Sequence, residues 1–259
     1  MQFLEPMWRQ RLASTNATVL EECNRQKLPE GYVLAVREQT SGRGRFDRRW
    51  ISETGRDLAF SSVINYRNRV DLPSLPMAAA LAVAELLRDF KLEAQTKWPN
   101  DVLVGGRKIC GILAEMPHGN EGSDSSRPEN VTQNGLPVVL GIGLNVNMGD
   151  KVAAVIDRPT TSMLLETGHT HSVDEVLQNL LGSLANWCGR WKHGGFAALE
   201  TAWRERCYGL GTEAEIGDGD NSVRGIIEGF GERGQILLRR VDGKLSEVWS
   251  GDVELVRDS

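Results

Sequence analysis

The chain lacks paired cysteines, a net positive charge and any long apolar run, and each absence closes off a class of function. Its cysteines, Cys23, Cys110, Cys188 and Cys207, form no CxxC pair, so neither a zinc knuckle nor a disulfide framework is indicated and reduced thiols are expected. The histidines have no Asp, Glu or Cys partner at ligand spacing, so no metal site is assigned. With a formal net charge of −5, the molecule as a whole has no electrostatic reason to bind nucleic acid or an anionic membrane. Any phosphate chemistry has to use a local cluster. The longest apolar stretch, 77–87, is interrupted by Glu85 and falls well short of the roughly 18–20 residues of a membrane span. Residues 1–11 carry Glu5 and Arg9 without an extended apolar core, which excludes a secretory signal and makes a cytoplasmic location the expectation.

What is present is an ordinary globular composition, 40% hydrophobic and 25% charged over 259 residues. At roughly 150 residues per domain this suggests one large domain, or one large and one small. Ser14-Thr15-Asn16 precedes an apolar pattern at helical spacing and supplies N-cap candidates. Short strands are predicted over 33–37 and 58–64, with a Gly/Arg-rich segment, 41–49, between them. Pro76 opens an Ala/Leu-rich helix reaching about Phe90. Gly105-Gly106 joins a strand at 102–104 to a returning strand at 107–116, because paired glycines supply the positive φ of a tight hairpin. Segment 117–137 is too polar to offset its ordering entropy and reads as a mobile insert.

The next segment, 138–147, alternates. Val138, Leu140, Ile142, Leu144 and Val146 form one face, while Val139, Gly141, Gly143, Asn145 and Asn147 form another with little bulk. Such a face either receives another part of the chain closely or lines a pocket. Ser172 and Glu175 form a capping box before a long apolar stripe, and a second helix is expected over 196–206. From 213 onward the pattern becomes short alternating runs separated by Gly/Asp turns. The expected architecture is therefore α+β to about residue 207, then a small all-β module over 208–259.

Two segments carry chemistry. Gly42-Arg43-Gly44-Arg45 with Arg48 and Arg49 crowds guanidinium groups that repel one another unless an anion joins them. Alone, it is equally compatible with a solvated basic turn or an RNA-binding patch. It is neither a Walker A loop nor a dinucleotide fingerprint. Lys97-Trp98-Pro99-Asn100-Asp101 crowds a Lys, a Trp and an Asn-Asp pair about a proline. That composition suits either a pocket rim or a turn with a packed Trp. Lys108 follows on the hairpin beside Gly111, which removes bulk where a ligand can pass.

In order, Ser14-Thr15-Asn16, Gln39, Gly42-Arg43-Gly44-Arg45, Trp50, 97–101, 108–115 and Gly141-Ile142-Gly143-Leu144-Asn145-Val146-Asn147 resemble the biotin–protein ligases over almost the whole chain. The resemblance implies a mixed sheet with flanking helices like that of class II aminoacyl-tRNA synthetases, followed by an SH3-like β-barrel. It implies adenylation of biotin by ATP with Mg²⁺, then transfer to a lysine of the biotin carboxyl carrier protein domain of acetyl-CoA carboxylase, by a monomer or homodimer.

By position, Ser14, Thr15 and Gln39 would bind the ureido head, with Gly42 beside them, while Gly111 and Gly143 leave room for the bicycle. Arg43, Arg45 and Lys108 would offset charge between carboxylate and α-phosphate. Arg48, Trp50, Asn100 and Asn145 would contact the nucleotide, Trp50 stacking on adenine. Asp101 would orient the acceptor amine and is its candidate base. Asp47 and Asp57 depart from the Gly and Asn usual in such enzymes. Only 13 residues precede Ser14, too few for a winged-helix DNA-binding domain, so DNA binding is not expected. The rival readings are a lipoate–protein ligase or octanoyl transferase, whose pockets need no ureido partners, and a non-catalytic biotin-binding regulator, which has no use for Lys108.

Overall fold

The computed structural model describes residues 1–46, 48–66, 69–117, 135–217 and 222–256. The chain begins with strand β1 (Met7–Leu12), helix α1 (Thr15–Arg25) and strand β2 (Val33–Gln39). Ser14 starts α1 as its N-cap, its Oγ accepting the Ala17 N–H at 3.4 Å. A two-residue hairpin, β3 (Gly42–Arg43) with β4 (Arg49–Trp50), carries the Arg segment and leads into β5 (Leu58–Tyr66). Helix α2 (Leu75–Asp89) follows. Three strands come next: β6 (Ala94–Lys97), β7 (Asp101–Val104) and β8 (Arg107–Glu115), with Gly105 and Gly106 at φ 56° and 73° in the predicted hairpin turn.

Beyond the insert come β9 (Leu136–Leu144), the short helices α3 (Asp150–Ala153) and α4 (Met163–Thr167), and the long helix α5 (Val173–Gly194). The helix expected over 196–206 is a 3₁₀ turn, Gly195–Ala198, followed by α6 (Glu200–Arg206). The mobile insert expected at 117–137 falls, over 118–134, outside the described residues.

A seven-stranded mixed sheet runs in the order β1-β2-β5-β9-β8-β7-β6, with β1 parallel to β2 and the other neighbours antiparallel. One face packs against α2 and α5. Val176, Leu177, Leu180, Leu184 and Trp191 of α5 meet an Ala-rich α2 that is buried almost throughout, and Val138, Leu140 and Ile142 of β9 point into the same core. The opposite face receives α1 through a smaller cluster of Val19, Leu34, Val63 and Val139.

Residues directly opposite on antiparallel strands share a face, so ladder register decides what the remainder of that second face presents. One row reads Asp101, Gly111, Gly143, Ala59; the next reads Leu113, Gly141, Ser61, Leu34. The small residues of three adjacent strands therefore line up beside α1 as a shelf.

The C-terminal region forms a second sheet from β10 (Glu213–Gly217), β11 (Val223–Phe230), β12 (Ile236–Arg239), β13 (Leu245–Val248) and β14 (Asp252–Leu255), in the order β13-β12-β11-β10-β14. Among the described residues no ladder joins β13 to β14, so this sheet is open. The indole of Trp98 ties the two sheets, donating from Nε1 to the Gly234 carbonyl at 2.9 Å, next to a cis Trp98–Pro99 bond. No helix among the described residues is long and apolar enough to cross a membrane.

Candidate active site

The shelf floors a cleft of about 410 Å³, a volume suited to a small organic ligand. Ser14, Thr15, Gln39, Arg43, Arg45, Arg48, Trp50, Asn100, Asp101, Lys108, Gly111, Gly143 and Asn145 all line it. Gly42 does not line it. A Cβ there would stand 2.6 Å from the Trp50 carbonyl oxygen, so its lack of a side chain serves the β3–β4 pairing. Of the Lys97-to-Asp101 motif only Asn100 and Asp101 reach the cleft, since Trp98 is packed in the core. Burial lowers the Lys97 amine's pKa despite the nearby carboxylates of Asp101 and Asp252.

At one end, Gln39 Oε1 accepts the Thr15 N–H at 2.8 Å and lies 3.2 Å from Thr15 Oγ1, while Ser61 Oγ stands 2.7 Å from Thr15 Oγ1. Strand β2, the start of α1 and β5 thus present a cluster of polar atoms over the shelf. In the middle lies Trp50. A Cβ on Gly143 would fall 2.3 Å from Trp50 Cε2, and one on Gly111 2.8 Å from Cζ3. The space that these glycines leave is therefore occupied by the indole of Trp50 itself. Gly141 plays the same part for Asn16, whose Oδ1 would be 2.1 Å from an added Cβ.

At the other end the cations gather, each facing a carboxylate or a polar side chain. Lys108 is not the solvated strand lysine its position suggests. Its side chain is only 18% exposed, and Nζ stands 2.6 Å from Asp101 Oδ1 in an ion pair misaligned for a hydrogen bond. Arg43 instead turns toward the Asn16 side of the cleft, donating to Glu115 at 3.1 Å. Arg48 pairs with Asp252, whose pKa burial raises but Arg48, Lys97 and Arg158 bring below the ordinary value. Arg45 donates to Asn100 Oδ1 at 3.3 Å and to Ser250 Oγ at 2.9 Å, its guanidinium 4.7 Å from the centroid of the Phe46 ring. Burial lowers its pKa, against the attraction of Asp252 and Asp101, yet a guanidinium stays charged. The repulsion among crowded arginines is thus relieved by the protein's own anions.

Three buried polar atoms of the cleft, Trp50 Nε1, Asp101 Oδ1 and Asn145 Oδ1, have no hydrogen-bond partner among the described residues. Buried polar groups are normally satisfied, so their concentration here is what a ligand site requires. Asn145 is held at its other end, donating from Nδ2 to the Thr161 carbonyl at 2.8 Å. The sequence reading missed Asp252, contributed by the C-terminal sheet, and the wall formed by Val155, Ile156, Asp157, Arg158 and Thr160. Neither segment carries a local motif. Only tertiary placement brings them to the cleft.

The fold agrees with the comparisons. The Biotin/lipoate A/B protein ligase family matches residues 8–123. A biotin--[acetyl-CoA-carboxylase] ligase of Paracoccus denitrificans is 32% identical over 244 residues, covering 90% of this chain and 94% of that protein. The Mycobacterium tuberculosis ligase of the same name is 30% identical over 265 residues, covering 96% and 90%. The structure of the Aquifex aeolicus biotin protein ligase in complex with biotin and ATP superposes with a TM-score of 0.78 at 25% identity, covering 99% of this chain and 100% of that one. The chain belongs to the biotin–protein ligases of this family.

Proposed function

We propose that this chain activates biotin with ATP to biotinyl-5′-AMP and transfers the biotinyl group to a specific lysine of the biotin carboxyl carrier protein domain of acetyl-CoA carboxylase. The observation that carries this reading is the convergence on one glycine-floored cleft of the Ser14–Thr15–Gln39 cluster, the Arg43 and Arg45 guanidiniums and Lys108. A ureido head offers N–H donors and a carbonyl acceptor, which the first cluster complements. A carboxylate and a triphosphate must approach each other, and the cations offset their repulsion and the charge of the pentacovalent phosphorus.

In the first step a biotin carboxylate oxygen attacks the α-phosphorus of ATP. The new O–P bond forms as the bond to the β-phosphate breaks, releasing pyrophosphate. Lys108 bridges carboxylate and α-phosphate, and Trp50 leaves the shelf to stack on adenine beside Asn145, with Arg48 and Asn100 toward the phosphates. In the second step the acceptor amine attacks the acyl carbon and AMP departs with the electron pair of the broken C–O bond. Asp101, freed from Lys108, orients that amine and takes its proton. Closure of the 42–49 segment keeps water from the acyl phosphate.

The resemblance implies Mg²⁺ as the counter-ion of the nucleotide, and residues of this cleft would hold it. No cluster of three or more His, Cys, Asp or Glu side chains able to hold a metal is found among the described residues, but Mg²⁺ borne by a triphosphate needs only one or two carboxylates beside phosphate and water. Asp101, whose Oδ1 is ion-paired to Lys108 without a hydrogen bond, and Asp252 are the carboxylates of the cleft that would hold it. The bound ion supplies charge neutralisation on the leaving phosphates. In this reading residues 1–207 form the catalytic domain and 208–259 an SH3-like barrel domain, in a cytoplasmic monomer or homodimer.

Biotin-dependent exchange of pyrophosphate into ATP, with labelling of a carrier domain, tests the proposal. Exchange supported by lipoate but not by biotin, or tight biotin binding without any turnover, overturns it.

A further inference from the structure

We infer that Glu115 is a positioning residue, which locks Arg43 of the Arg segment to the Thr15–Gln39 end of the cleft through Asn16 and Ser61. The inference rests on the biotin-ligase reading of the cleft. Glu115 closes β8, at the far end from Lys108. Its Oε1 accepts from Arg43 Nη2 at 3.1 Å and its Oε2 from Asn16 Nδ2 at 2.9 Å. Asn16 Oδ1 lies 2.5 Å from Ser61 Oγ, which lies 2.7 Å from Thr15 Oγ1. Asn16, Ser61 and Thr15 are at most 4% exposed, so water does not substitute for these partners.

The polarity of the chain follows from its end. An ionised carboxylate only accepts, so Asn16 must turn its NH₂ toward Glu115 and its oxygen toward Ser61. Ser61 has one proton and must donate it to Asn16. It can then only accept from Thr15. Thr15 Oγ1 has one proton, for Ser61 Oγ at 2.7 Å or for Gln39 Oε1 at 3.2 Å, and Gln39 Oε1 also accepts the Thr15 N–H. Either way Thr15 Oγ1, on a residue that lines the cleft, keeps lone pairs to accept from a ligand N–H. A ligand N–H bound there polarises every link toward Glu115, and linked hydrogen bonds strengthen one another. The glycine shelf makes the path possible, because any side chain at 141 would expel Asn16.

None of these links touches the reacting atoms. Glu115 acts on the adenylate through Arg43 and on the Thr15 end through Asn16, so its removal must reproduce part of the effect of losing Arg43. The test uses the full-length protein: the dissociation rate of preformed biotinyl-5′-AMP, the Kd for biotin alone, and thermal melting, for Glu115→Ala, Arg43→Ala and the double variant. Glu115→Ala is expected to speed adenylate loss by about 2–5-fold, a range set by a half-exposed Arg–carboxylate pair. The double variant is expected to lose it more slowly than the product of the two single effects predicts. Glu115→Gln keeps one acceptor but turns an NH₂ toward Arg43 or Asn16 and loses the charge, so it is expected to recover only part of the retention. Glu115→Asp keeps the charge but shortens the reach, so it is expected to melt like wild type and still release adenylate faster. Wild-type release by both Glu115→Ala and Glu115→Asp, or multiplicative effects in the double variant, overturns the inference. A wild-type chain that forms no adenylate from biotin overturns the functional reading instead.

Discussion

Replacing Asp57 by Asn tests how the chain leaving the Arg segment is fastened to the cleft. Asp57 is 3% exposed. Its Oδ1 accepts the N–H groups of Val146 and Asn147 at 2.9 and 3.2 Å, and its Oδ2 accepts that of Glu53 at 2.7 Å. One carboxylate thus pins the 53–57 segment against the strand end that carries Asn145. Burial, incompletely offset by these donors and reinforced by the Glu53 charge, raises the pKa from 3.8 to about 6. An acid with a higher pKa in the folded than in the unfolded chain binds protons preferentially when folded, so its ionisation opposes folding. At about 1.4 kcal/mol per unit the cost is roughly 3 kcal/mol. It is fully present above about pH 6 and fades as pH falls from there toward 3.8.

The substituted amide keeps an acceptor oxygen for Val146 and Asn147 but turns an NH₂ donor toward the Glu53 N–H, which forfeits about 1–2 kcal/mol. The expected net effect of Asp57→Asn is a gain of about 1–2 kcal/mol at pH 8 that shrinks to zero or reverses near pH 4.5. Urea unfolding at several pH values measures it. A stability difference independent of pH refutes the reasoning, because it means that the carboxyl titrates alike in folded and unfolded chains.

Other perturbations read the cleft directly. Lys108→Ala is expected to cut biotin-dependent pyrophosphate exchange by about 10²-fold or more while leaving the far-ultraviolet circular dichroism unchanged; an unaltered exchange rate contradicts the role given to Lys108. Arg43→Ala is expected to shorten the lifetime of bound adenylate more than it raises the Kd for biotin, and equal effects would assign the loop another task. If Trp50 leaves the glycine shelf when the cleft fills, nucleotide and biotin together are expected to change the indole fluorescence, with a much smaller change in Trp50→Phe. Gly141→Ala places a methyl 2.1 Å from Asn16 Oδ1 and is expected to cost about 1–3 kcal/mol of stability, read by thermal melting, together with at least part of the biotin affinity.

These perturbations also mark where residue patterns stop being sufficient. The apolar stripe of α5, the Ala-rich α2 and the Gly105-Gly106 hairpin were legible because their causes are local: side-chain periodicity, capping and turn chemistry act over a few residues. Strand β1 was not, since Met7–Leu12 lies at the sheet edge and is mostly exposed, which leaves little alternation to see. Strands β6 and β14, four residues each, are too short to show a period.

In the site, the low-bulk face of β9 was legible as space, but not what fills it, because the occupant comes from another element. Asn16 fills it over Gly141 and Trp50 over Gly143. Charge pairing divides the same way. Asp101 and Lys108 lie seven apart across one hairpin, whereas Glu115 reaches Arg43 and Asn16 from 72 and 99 residues away, and Asp252 reaches Arg48 from 204. A cation-rich motif therefore announces an anion without saying whose. Here the protein supplies its own at Asp101, Glu115 and Asp252. In the proposed function, ligand phosphates and carboxylate would compete with groups already in place, so the affinity of the cleft would be set as much by these carboxylates as by the arginines that the motif displays.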